Sequence, residues 1–426
     1  MLNLNGKKLL ILGGNRETGG LVQTANDLGV WTIVVDPNPN APAKLLANRH
    51  FEIDGFNVDG IESVARREKV DGILVGVADI LVPTYQQVCE RMNLPCYASR
   101  KTINAFCSKD GFKAACLAFS IPDIPGIVLD PKDVAHEIGD LPLPIMIKPV
   151  DNGGGVGMRV CRTHKGLPTA LRASRSHSRT GRVIVERYMD ADDMFAYYTF
   201  VNGAVHLSAT ADRLTTRLNP AETPVCLAAR YPSRHTNSFV RKVHPHLVNM
   251  FRDLDVQNGV LNIQFFVENG DFFAYDPGFR LQGEAPHLHL KALNGFDHWE
   301  MLINFALTGS MHSFQADKLN DFLLNDRVAA TIWVTARSGK IGHLGGLDSI
   351  EADPSVTALA QRLYEGDEIT HEMLGTERQV VARIYLAADT AEEVAAASIR
   401  IRERLQLQDT HGVDMLSDWI SPSLLL

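Results

Sequence analysis

What this 426-residue chain lacks narrows its identity first. No apolar run approaches the ~18 residues needed to span a bilayer, so no membrane partner is expected. Its six cysteines (Cys89, Cys96, Cys107, Cys116, Cys161, Cys226) form no C-x-x-C pair, and the last 200 residues hold none. Thiolate metal sites and disulfide frameworks need denser spacing, so buried free thiols are expected. A basic excess is also missing. Lys and Arg total 42 against 50 Asp and Glu, a net charge of −8, which argues against a dedicated nucleic-acid binder. Met1 to Lys8 lack a basic leader followed by a long apolar stretch, so no signal peptide and a cytoplasmic location are expected. Internal repeats and low-complexity segments are absent. With 45% apolar and 22% charged residues, the chain is globular, and its length suggests two or three domains.

What is present reads as α/β and α+β. Residues 7–14 form a buried parallel strand ending in a glycine turn. A helix runs through Leu21, Val22, Ala25 and Leu28 and is closed by Gly29. Trp31 to Asp36 is a second strand, stopped by Pro37 and Pro39. Strand, helix, strand in about 30 residues is a βαβ unit of a doubly wound sheet. A strand at 70–76, a helix at 84–92 and a strand at 94–97 complete an N-terminal α/β domain. From Ser108 a helix and a proline-marked connection (Pro122, Pro125, Pro131) lead into antiparallel β structure, with strands at 144–149, 182–186, 194–201 and 205–211. Two further strands, 259–267 and 272–276, face each other across Asn269-Gly270, a strong hairpin signal. Strands at 328–335 and 379–386, with a helix at 391–404 opened by the capping box Thr390 and Glu393, indicate a small β-rich C-terminal domain. The expected boundaries are 1–107, 108–315 and 316–426.

Several clusters could carry chemistry. The Gly13–Gly20 loop, between a strand and a helix, either packs or binds an anion. Its spacing is not G-x-G-x-x-G, although Asp36 stands where a dinucleotide fold places its ribose acid. Lys148 ends a strand and is followed by the glycine loop 151–157. That pairing can clamp a polyphosphate, because glycine lets backbone approach phosphate oxygens while the ammonium neutralises charge; a structural hairpin is the plainer alternative. Glu186 and Asp193 are strand-end carboxylates. Gln264 and Asp276, on paired strands, could face each other as oxygen ligands for Mg²⁺, with Arg280 near enough to meet developing charge. His287 and His289 have strand-like spacing and are expected to be structural. The basic stretch Arg172–Arg182 is a phosphate patch or a solvated face.

In this order the pieces resemble the ATP-grasp superfamily, in a layout like that of the carbamoyl-phosphate synthase large chain and biotin-carboxylase-like ligases. The stretch Ser-Lys-Asp-Gly-Phe-Lys at 108–113 resembles the entry to the ATP-binding region, which implies that Lys109 is the first nucleotide lysine. Ile147-Lys148-Pro149 then resembles the second, and Gly153, Gly154, Gly155 and Val156 the flap over the phosphates. Glu186, Arg187, Tyr188 and Met189 resemble the hinge that reads adenine, and Asp193 the ribose carboxylate. Gln264 and Asp276 fall at the metal-binding positions, and Arg280, catalytic with Lys148, near the transferred phosphate.

The chain departs from the pattern at Gly278, where Asn is usual; Glu284 or Glu268 is the expected compensation. The resemblance implies ATP with Mg²⁺ (or Mn²⁺) as cofactors, small-molecule carboxylate and amine substrates, and an ADP-forming ligase that activates a carboxylate or bicarbonate as an acyl phosphate. A homodimer is the base-rate expectation. Two other readings stay open. One is a nucleotide-binding protein of this fold with weakened metal chemistry; the other is a nicotinamide-dependent oxidoreductase using Gly13–Gly20.

Overall fold

In the computed structural model, β1 (Lys8–Leu12), β2 (Trp31–Val35), β3 (Arg49–Phe51) and β4 (Gly72–Val75) form a parallel sheet in the order β3-β2-β1-β4. The structure describes residues 3–133, 138, 141–151, 156–216, 225–311 and 319–426. The continuous Leu, Ile and Val runs of β1 and β2 suit strands covered on both faces. Three helices, α1 (Gly19–Asp27), α2 (Val58–Glu68) and α3 (Val82–Met92), follow these strands, and Gly29 takes the left-handed position after α1. The expected strand at 94–97 does not form. Pro95 offers no N–H, the Tyr97 amide donates instead to Tyr85 Oη at 3.2 Å, and the Tyr97 ring turns into an aromatic cluster with Tyr85 and Phe279.

Helices α4 (Arg100–Phe106) and α5 (Lys109–Ala118) lead to a second sheet of β5 (Gly126–Leu129), β6 (Ile145–Pro149), β7 (Arg159–Cys161) and β8 (Val183–Arg187), ordered β5-β8-β6-β7. With α6 (Leu167–Arg175), this small sheet encloses its own core of Leu129, Ile145, Ile147, Leu167, Leu171, Val183 and Val185. Because that core is separate from the main one, the small sheet can present one face to the rest of the molecule as a unit.

The central sheet begins with β9 (Asp192–Val201), β10 (Ala204–Thr216) and β11 (Val225–Tyr231). After α7 (Thr236–Lys242) and α8 (His244–Asp253), it continues through β12 (Gly259–Glu268) and β13 (Asp271–Gly278). Asn269 and Gly270 have φ of 53° and 80°, the geometry an Asn-Gly hairpin turn requires. Next come α9 (His287–Asn294) and α10 (His298–Thr308). Residues 287 and 289 are therefore helical, not strand-like. His287 packs on Trp299 and His289 on Thr331 and Tyr385, so the helix is buried on more than one side and its period is hidden. Helix α10 lies against α1 and β4, and the Trp299 ring occupies the space a side chain at Gly20 would need.

Strand β14 (Val328–Ala336) pairs antiparallel with β11, which carries the sheet onward. Around it follow β15 (Gly339–Gly345), β16 (Val356–Gln361), β17 (Glu368–Ile369), β18 (Val380–Ala388), β19 (Gln406–Asp409) and β20 (Leu416–Asp418). The main order is β13-β12-β9-β10-β11-β14-β18-β16, with β20 on β14 and a small β17-β15-β19 sheet beside it. The helix Ala391–Arg404 starts at the Thr390 and Glu393 capping box, as read from the sequence. All six cysteines are free, and no helix among the described residues is long and apolar enough to cross a membrane.

Candidate active site

The β12–β13 pair builds one wall of a cleft. Ile263, Phe265 and Val267 are buried in the main core, so the alternate residues Asn262, Gln264, Phe266 and Glu268 face the other way. The register sets Gln264 opposite Asp276 and Asn262 opposite Gly278. The two oxygen donors expected from the sequence therefore do share one patch of sheet. A bulge after Gln264 leaves Tyr275 stacked on Phe266, ring centroids 4.5 Å apart. Lys109, in the first turn of α5, comes within 3.7 Å of Asp276 Oδ1. Just beyond β13, Arg280 donates to Asp79 at 2.5 Å, tying the strand pair to the carboxyl end of the first parallel sheet.

The small sheet forms the facing wall. Lys148 on β6 pairs with Glu186 on β8 at 2.6 Å, and both are almost fully buried. Glu186 also meets Lys113 of α5 at 3.2 Å, and Lys113 pairs in turn with Asp123. Two ammonium groups and two carboxylates thus balance in a site where an unpaired charge would be costly. Lys148 Nζ lies 6.0 Å from the Tyr275 ring centroid, which places it across the cleft from the β12–β13 wall. Arg187, next in β8, clasps Glu268 of β12 through two bonds of 3.1 and 2.9 Å. The Tyr188 amide donates to Pro144 O at 3.1 Å, Met189 is buried, and Val156 is half exposed. Gly153, Gly154 and Gly155 lie outside the described residues.

Asp193 stands at the start of β9, 8% exposed, accepting from Arg213 Nη1 at 2.7 Å and Tyr275 Oη at 2.9 Å. Burial pushes its carboxyl up to about 6, while the Arg213 guanidinium works against the rise. Arg213 also pairs with Glu284 at 2.9 Å, and Gln282 donates to the other Glu284 oxygen at 3.0 Å. Glu284 and Glu268 are thus each engaged by an arginine, and the residue opposite Gly278 in the ladder is Asn262.

Beyond this network a belt of charges joins the first glycine loop to the C-terminal strands. Glu17 pairs with Arg362 and, at 3.7 Å, with Arg383; Arg383 also pairs with Glu377 and donates to Gly283 O at 2.5 Å. Asp36 accepts from the Gly14 amide at 2.7 Å and the Asn38 amide at 2.8 Å. It is therefore a clamp on the loop backbone, which does not favour a nicotinamide ribose site there.

Sequence reading missed Lys113, Asp79, Asn262, Arg213, Arg362 and Arg383. Asp79 had a usable signal: it follows a parallel strand at its carboxyl end, where doubly wound sheets place ligand sites. The arginines are matched to their partners across as many as 366 positions, as with Glu17 and Arg383, and a single sequence carries no such pairing.

Residues 109–197 match the family model described as the Carbamoyl-phosphate synthase L chain, ATP binding domain. A 190-residue stretch, 44% of this chain, is 28% identical to the formate-dependent phosphoribosylglycinamide formyltransferase of Maridesulfovibrio salexigens and covers 48% of that protein. The chain thus spans about half the length of the curated relatives it matches. An L-amino acid ligase from Bacillus licheniformis superimposes with a TM-score of 0.76 at 15% identity, covering 95% of this chain and 99% of that one. The biotin carboxylase domain of the Hydrogenobacter thermophilus 2-oxoglutarate carboxylase, solved with MgADP and bicarbonate, gives 0.75 at 17% identity over 94% and 90%. At these identities the likeness is one of fold: the chain shares the mixed α/β architecture of these two enzymes, the fold class expected from its sequence.

Proposed function

We propose that the chain is an ATP-dependent ligase that activates a carboxylate as an acyl phosphate for attack by an amine. The observation that carries this reading is the cleft itself. Lys148 on the small sheet faces the β12–β13 wall, and Lys109 stands beside Asp276 on that wall. Phosphoryl transfer asks a protein chiefly for positioning and charge neutralisation, and this cleft offers both. Lys148 and Lys109 neutralise the phosphates of ATP. Glu186 to Met189 border the adenine, and Asp193, released from Arg213 or bonded alongside it, serves the ribose. Asp276 and Gln264 present oxygen atoms suited to Mg²⁺, a hard cation, which supplies charge neutralisation when bound. Arg280, held by Asp79, is aimed where charge develops.

In the first step a carboxylate oxygen bonds to the γ-phosphorus as the bond to the β-bridging oxygen breaks, giving acyl phosphate and ADP. In the second, an amine nitrogen bonds to the acyl carbon, inorganic phosphate leaves, and the nitrogen loses its extra proton. Because the acyl phosphate is easily hydrolysed, the step demands a cleft closed to water. Formate is the first carboxylate to try, since the M. salexigens relative is named for it; bicarbonate is the second. The reading includes a homodimer, and a cytoplasmic setting in which six free cysteines stay reduced. ADP release from MgATP, measured with carboxylates and amines separately and together, tests it. Release that needs both partners supports the ligase. ATP binding without release under any pairing favours the reading with weakened metal chemistry, for which Gly278 is the motive.

A further inference from the structure

Among the described residues the site holds several buried polar atoms without a hydrogen-bond partner: Asn262 Oδ1, Asp79 Oδ1, Arg280 Nε and Gln282 Oε1. Asn262 is 5% exposed, and its Oδ1 makes no hydrogen bond among the described residues. It stands opposite Gly278 in the ladder, on the strand face it shares with Gln264. A Cβ on residue 278 would lie 2.5 Å from that oxygen and 3.2 Å from Asp79 Oδ1, a second buried oxygen without a partner. A side chain at 278 would therefore have to displace the Asn262 amide, which now occupies the space beside Gly278. Native structures seldom leave a buried acceptor unmet, and when they do a ligand is a standing explanation.

We propose that Asn262 supplies, from across the strand pair, the amide that residue 278 does not, completing with Gln264 and Asp276 an all-oxygen set for a divalent cation carried by nucleotide phosphates. This rests on the nucleotide-dependent reading above. Magnesium is held by few protein oxygens and takes its remaining ligands from phosphate and water. The donor set fits that habit, with one carboxylate and two neutral amides. Asp79 is the positioning residue. Asp79 Oδ1 and the Arg280 guanidinium border the same spot beside residue 278, so a half-turn of the Asn262 amide, which exchanges its oxygen and nitrogen, would turn a donor toward that spot and leave Oδ1 for the ion.

The test compares wild type, Asn262→Ala and the transposed double variant Asn262→Ala/Gly278→Asn. Each is titrated with Mn²⁺ in the presence of ADP, with bound metal read by electron paramagnetic resonance; metal-free ADP affinity is measured separately by calorimetry. Asn262→Ala is expected to weaken Mn²⁺ binding to the enzyme–ADP complex about tenfold or more while leaving metal-free ADP affinity within about twofold. The double variant, with its amide now on β13, is expected to regain most of the loss. Asn262→Leu, which keeps the side-chain volume, makes the same comparison should Asn262→Ala not fold. Wild-type Mn²⁺ affinity in a folded Asn262→Ala overturns the proposal, as does a folded double variant that regains nothing. Wild-type protein that takes no ADP at all overturns the nucleotide reading, and this proposal with it.

Discussion

Each charged side chain of the cleft is held by a partner of opposite sign, and the pairings decide which substitutions are tolerated. Removing Lys148 leaves Glu186 its second cation, Lys113 at 3.2 Å, so Lys148→Ala is expected to fold. It is also expected to lower ADP formation by about 100-fold or more, the usual scale for losing a group that stabilises developing charge. Circular dichroism and a coupled ADP assay on the same preparation check both halves. Three histidines near the interface between α9, α10 and the sheets have a different consequence. Burial holds His287 down to about 4 and His289 to about 3, and lowers His298 as well. The unfolded chain takes up these protons at ordinary histidine values while the folded chain refuses them. Stability is therefore complete above about pH 6.5 and lost as pH falls toward 4, by about 1.4 kcal/mol per pH unit for each histidine. Thermal melts at pH 7 and pH 5 are expected to show a clear drop in Tm, and His289→Gln is expected to flatten that dependence.

Elements were legible where a local signal settled them. The Asn269-Gly270 turn fixed the β12–β13 hairpin, but its register alone would set Gln264 opposite Tyr275; the bulge after Gln264, which moves the pairing to Asp276, had no signal in the sequence. Thr390 and Glu393 fixed the start of the last long helix. Elements misread were those whose partners decide them. Residues 94–97 have a strand's composition, yet they leave the edge of β4 unpaired because Pro95 offers no N–H and the Tyr97 amide goes to Tyr85 Oη, and α9 hides its helical period by burying His287 and His289 on different neighbours. The Arg187–Glu268 clasp was equally invisible, joining two elements 81 positions apart. It is partly exposed, so its worth is about 0.2–1 kcal/mol. Arg187→Ala is accordingly expected to raise the KM for ATP by no more than about fivefold with little change in kcat, which steady-state kinetics resolves.

Across the molecule, the sheet that carries the candidate metal oxygens does not stop at residue 315. It continues from β11 into β14 and β18 through an unbroken antiparallel ladder. The last strands also reach back to the first glycine loop through Arg362, Arg383 and Glu17. Cutting the chain before β14 would bare the edge of β11 and its apolar residues, an invitation to aggregation. A protein ending at residue 327 is expected to be insoluble or to unfold at much lower temperature than the full chain, as light scattering and calorimetry would show.

The measurement that bears most directly on the whole reading is ADP release from MgATP, with formate or bicarbonate and an amine pool added singly and together. The proposed chemistry predicts release that depends on the carboxylate, a product linking both partners, and loss of release in both Lys148→Ala and Asp276→Asn. Unimpaired release in either folded variant would contradict the site, and no binding of ATP would contradict the function.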